Sequence, residues 1–119
     1  MANKNDSSTR FYSDAHEKSV CRALNATQQP QSGAGNFRKG DVVQNTSSLL
    51  IECKTTMSEK ESVSIKKEWI CKNKKEAFDM RLQNSCVCFN FGPGGENYYI
   101  IDEKLMRFLT EKLSEDNEI

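Results

Sequence analysis

The segment Leu49-Leu50-Ile51-Glu52-Cys53-Lys54 ends an apolar run with an acid and a base two positions apart. On a β-strand alternate side chains share a face, so Glu52 and Lys54 project together while Ile51 and Cys53 project the other way. Upstream, Gly40-Asp41-Val42-Val43 opens a second apolar segment with an acid, and Asn45-Thr46 between the two offers a turn. Folded antiparallel, the pair brings Asp41 to the end of the second strand, beside Glu52 and Lys54. Glu17 is a candidate fourth member. Positions 17, 20, 21 and 24 follow i, i+3, i+4, i+7 spacing, so this carboxylate shares a helical stripe with Val20, Cys21 and Leu24.

Carboxylates gathered in this way repel one another and favour a hard divalent cation between them. Mg²⁺ suits two or three acids, because it keeps several waters and takes the rest of its ligands from substrate phosphate. A lysine beside it can orient a water and neutralise charge developing on a phosphate. Glu-x-Lys alone is equally the mark of a salt-bridging surface strand. Joined to an apolar strand, a preceding Gly-Asp and a helical Glu, it suits metal-assisted phosphodiester hydrolysis.

The series Glu17, Ser32-Gly33-Ala34-Gly35, Lys39-Gly40-Asp41-Val42-Val43 and Ile51-Glu52-Cys53-Lys54 resembles the PD-(D/E)xK nuclease superfamily. Within it, the chain is most similar to the small Holliday junction resolvases of archaeal type and their phage relatives. The resemblance spans about residues 14–91 and implies an α/β fold with a restriction-endonuclease-like αβββαβ core, extended here by a C-terminal strand and helix. It implies a Mg²⁺-dependent homodimer, with Mn²⁺ able to substitute, that acts on DNA four-way junctions in recombination or replication. By the same resemblance Asp41, Glu52 and the Cys53 backbone carbonyl hold the metal, Lys54 is the catalytic lysine, and Glu17 and Ser32 complete the catalytic set. Ser32, Gly33, Arg38 and Lys39 would contact DNA. The proline that often precedes the first acid is Gly40 here. The superfamily also holds nickases and exonucleases of DNA repair, and a non-catalytic DNA-binding protein keeping the fold is the alternative from outside enzymology.

The elements that must position these residues follow from periodicity. Residues 1–12 are expected to be disordered, a single domain to cover 13–114, and 115–119 to form an acidic end. Ser13 is a suitable N-cap for a first helix reaching about Asn25. A long helix over 64–83 is expected from Ile65, Trp69, Asn73, Ala77 and Met80, with Ile70 and Phe78 widening the stripe. Trp69 reads as core rather than as a base-stacking ring. The run from Cys86 to Phe91 reads as a strand, Gly92-Pro93-Gly94-Gly95 as a turn, and Asn97 to Ile101 as its hairpin partner. Asp102 caps a last helix with apolar Leu105, Phe108, Leu109 and Leu113. His16, about 100° round the helix from Glu17, is expected in solvent.

Composition fits this reading. The chain has 119 residues, 36% hydrophobic and 29% charged, enough for one core without disulfide staples. Five cysteines follow no disulfide framework and read as reduced thiols of a cytoplasmic protein. Cys86 and Cys88 share a strand face, but a zinc site there lacks a second Cys/His pair at similar spacing. No apolar run approaches the ~20 residues of a membrane span, and no secretory signal is visible. Net charge is zero, yet residues 1–84 hold 14 basic and 10 acidic side chains, against 3 and 7 in residues 85–119.

Overall fold

The computed structural model describes residues 3–29 and 41–117. They form a mixed α/β arrangement in the order α1 (Asn3–Leu24), β1 (Thr27–Gln28), β2 (Asp41–Gln44), β3 (Leu49–Lys54), α2 (Lys67–Asp79), β4 (Asn84–Phe89), β5 (Tyr98–Ile100) and α3 (Glu103–Asn117). The five strands lie in sequence order in one sheet. Only β3 and β4 run parallel, joined through α2; the other neighbours are antiparallel. No helix among the described residues is long and apolar enough to cross a membrane.

Strand alternation gives the sheet two different faces. On one, Val42, Ile51, Cys86 and Cys88 pack under Val20 of α1, flanked by Cys21, Leu24 and Cys53. On the other, Val43 and Leu50 pack under Ala77 of α2, with Met80 and Leu82 at the margin. The two helices that cover the sheet, α1 and α2, both give way to a residue in the left-handed region. Asn25 (φ 54°) follows α1, and the Ala26 N–H returns to the Cys21 carbonyl at 3.0 Å. Arg81 (φ 62°) follows α2, and the Leu82 N–H returns to the Ala77 carbonyl at 2.8 Å. Both closures satisfy carbonyls that a helix end would leave bare.

Several expectations need correction. Helix α1 begins at Asn3, ten residues before the start expected at Ser13. Once the turns around Val20 are packed, each further residue costs only propagation, and the Asp14–Lys18 pair (3.0 Å) supports the earlier turns. Helix α2 is shorter than 64–83, because Lys66 is extended (φ −85°, ψ 132°) and Arg81 is left-handed. Phe78 does not widen its buried stripe; it is 81% exposed. His16 is buried rather than solvated, since it lies one turn before Val20 on the same stripe. The Asp102 cap is present: its Oδ1 accepts from the Leu105 N–H at 2.9 Å. Helix α3 buries none of its residues.

Candidate metal centre

The β2–β3 hairpin is closed by the turn after Gln44, where the Ser48 N–H donates to the Asn45 carbonyl at 3.1 Å. Its register sets Asp41 directly opposite Glu52. Paired residues share a face, so both carboxylates project towards α2, as the two-residue period of the strands requires. Lys54, two residues beyond Glu52, bonds it through Nζ to Oε2 at 3.2 Å. The same ammonium lies 4.8 Å from the centre of the Trp69 ring, which positions it by cation–π attraction. Lys54 keeps a third of its side chain in solvent, whereas Glu52 is largely covered.

Helix α2 contributes Glu76. One ligand atom from each of Asp41, Glu52 and Glu76 lies within 4.8 Å of the others. Sequence reasoning missed Glu76, although its signal was present. It lies three residues after buried Asn73 and seven after Trp69, on the flank of the α2 stripe, by the same spacing that drew attention to Glu17.

Asp41 is the decisive side chain. It is 0% exposed, and among the described residues neither carboxylate oxygen has a hydrogen-bond partner. Burial first, then the neighbouring Glu52 and Glu76, push its pKa up to about 9. Two carboxylates cannot donate to each other, so such a group is relieved by a proton or by a cation. The all-oxygen donor set fits a hard divalent ion such as Mg²⁺, with Asp41, Glu52 and Glu76 as the residues able to hold it.

Glu17 is elsewhere. It is buried on α1, against the opposite face of the sheet, where its Oε1 accepts from Gln28 Nε2 at 2.9 Å. Gln28 also donates to Asp14 at 2.8 Å, so that region is a polar clamp between α1 and β1. Beside it, His16 Nε2 donates to Asn97 Oδ1 at 3.0 Å, and Asn97 Nδ2 reaches Ser19 Oγ at 3.1 Å. Cys53 belongs to β3 between Glu52 and Lys54, its side chain on the α1 face. Ser32, Gly33, Arg38 and Lys39 lie outside the described residues. No family model matches the chain, nor does any curated protein or solved structure.

Proposed function

We propose that the chain is a Mg²⁺-dependent endodeoxyribonuclease of the PD-(D/E)xK superfamily, acting on four-way DNA junctions. The observation that carries this reading is the fully buried, unpartnered Asp41 carboxylate facing Glu52 and Glu76, with Lys54 at the rim. The element order, a helix, three strands, a helix and a strand, agrees with the core that the resemblance implies. A pure DNA binder gains nothing from gathering three acids where phosphates must approach.

In this reading Asp41, Glu52 and Glu76 hold the cation, with the Cys53 carbonyl as a further oxygen. When bound, the ion supplies charge neutralisation at a phosphate and a more acidic water. Lys54 donates from its partly exposed ammonium to the phosphate or to the attacking water. Trp69 and Glu52 restrain that ammonium, so little reorganisation accompanies the reaction. A homodimer suits a junction needing two symmetric cuts. The exposed Leu109 and Leu113 of α3 support a helix-to-helix contact, and Lys104 and Glu115 lie about 20° apart around the helix, matching ends in an antiparallel pair. Leu109→Glu should halve the mass seen by sedimentation with the melting temperature of the domain retained.

The test is cleavage of labelled four-way junction and matched linear duplex, with and without Mg²⁺. Junction nicking that requires Mg²⁺ and disappears in Lys54→Ala is expected. Binding without cleavage in any divalent metal would leave the non-catalytic reading, and cleavage of linear duplex alone would leave a nickase or exonuclease.

A further inference from the structure

Past the acids, the α2-facing side of the sheet carries a row of rings that hydrolysis does not use. Register sets Lys54 of β3 beside Phe89 of β4, and Phe89 beside Tyr98 of β5. The Phe89 and Tyr98 rings lie 5.8 Å apart with planes inclined by 31°. Phe91 sets its edge against both, at 5.5 Å and 5.8 Å. Tyr98 stands on the edge strand with 44% of its surface in solvent, and its hydroxyl donates to Glu96 at 3.2 Å. A tyrosine that served only the core would be covered. This one is held by two rings and a hydrogen bond and still exposed.

Cations flank the row. Lys54 stands at its inner end. At its outer end the Lys60 N–H donates to the Phe91 carbonyl at 2.7 Å, fixing an exposed lysine position beside the third ring. The loop carrying Lys60 is seated closely there, since a Cβ on Gly92 would lie 3.1 Å from the Glu59 Cα. Rings interleaved with lysines are the pattern by which proteins take unpaired nucleotides, the bases stacking and the phosphates pairing with ammonium groups. Adjacent strands lie roughly 4.8 Å apart, so Tyr98 is about 10 Å from Lys54. That is about the reach of a nucleotide neighbouring the phosphate at the site, but a base inside a duplex stack cannot present its face there.

We propose that Phe89, Phe91 and Tyr98 form a stacking platform for an unpaired base next to the scissile phosphate, so that the substrate is DNA locally opened at the cut. The position of the scissile phosphate rests on the nuclease reading; the stacking does not. The probe is an oligonucleotide carrying 2-aminopurine, either at an unpaired branch-point position or within linear duplex, bound to the full chain with Asp41→Asn in EDTA. Quenching of the unpaired reporter, with none in duplex, is expected. Tyr98→Ala should remove the quenching and weaken binding to the branched probe about tenfold, while Tyr98→Phe keeps both and duplex affinity is unchanged. Because Tyr98 is exposed, a melting curve matching wild type is expected for Tyr98→Ala; Tyr98→Leu, which keeps bulk without the ring, covers the case in which it is not. Undiminished quenching in both variants, or an equal loss on duplex and branched probes, overturns the platform. Quenching without any Mg²⁺-dependent hydrolysis by wild type would keep the platform and discard the nuclease, and hydrolysis without quenching would do the reverse.

Discussion

The two faces of one sheet treat their buried carboxylates in opposite ways. Beneath α1, Glu17 is bonded to Gln28 and His16 to Asn97, among the thiols of Cys53, Cys86 and Cys88. Burial raises those thiols, to about 12 for Cys86 and about 11 for Cys88, so they stay protonated at neutral pH and behave as small apolar groups. Beneath α2, both oxygens of Asp41 and the Nδ2 of Asn73 are buried without a partner among the described residues, whereas on the α1 face this holds for the Nδ1 of His16. Leaving such groups unmade costs about 1–3 kcal/mol each, which a fold tolerates where something else completes them. The α1 face answers its buried carboxylate from within the fold, and the α2 face leaves Asp41 to be answered by a proton or a cation.

The largest expected effect separates the faces by activity. Lys54→Ala should lower junction cleavage by about 10²–10³-fold, the usual cost of removing a charge-stabilising donor. Glu76→Gln should cost a similar factor, and both should keep a melting curve close to wild type. On the α1 face Cys88→Ala should leave the cleavage rate within about twofold while lowering stability, because a buried side chain is truncated. Cleavage assays and thermal melts on the same preparations check both halves. A Cys88→Ala variant that is fully stable but inactive would erase the distinction.

A smaller effect concerns metal and stability. Since Asp41 takes a proton more readily when folded, the metal-free chain is most stable below the ordinary value of 3.8 and loses that contribution as pH rises towards about 9. Asp41→Asn should flatten that decline and raise the melting temperature at pH 8. Mg²⁺ at about 100 times its dissociation constant should stabilise the wild type by about 2.7 kcal/mol at the same pH, and Asp41→Asn much less. Melts at pH 8 in EDTA and in Mg²⁺ decide it.

What was legible in the sequence follows the range of the physics involved. Asp41, Glu52 and Lys54 could be brought together from local rules alone: alternation, a short turn and antiparallel register. The end of α1 near Asn25 and the Asp102 cap were legible for the same reason. Glu17 and Glu76 carry the same helical signal, and nothing local says which helix covers which face. That depends on the crossover from β3 through α2 to β4, a non-local choice, and it gives Glu76 the place that spacing had offered to Glu17. The burial of His16 was hidden likewise, because its partner Asn97 arrives from the far end of the chain.

The smallest effect is a pH dependence of opposite sign on the α1 face. Burial lowers the pKa of His16 from 6.5, and the hydrogen bond to Asn97 Oδ1 offsets part of that shift. A proton on Nδ1 would find no acceptor, since that atom is buried without a partner. Below about 6.5 the unfolded chain therefore takes up a proton that the folded chain resists. Stability contributed by His16 is complete above that pH and is lost as pH falls through the lowered value. In the metal-free protein this acid-side loss offsets the gain that Asp41 gives over the same range, so the stability curve should flatten just below pH 6.5 and decline above it. His16→Gln keeps a donor for Asn97 without a titrating group, so it should remove that offset, letting stability go on rising below pH 6.5, and leave the alkaline limb untouched. Asp41→Asn should do the converse. Denaturant melts from pH 5 to 9 in EDTA measure both limbs, and a variant that moved both together would mean that the two faces are not independent.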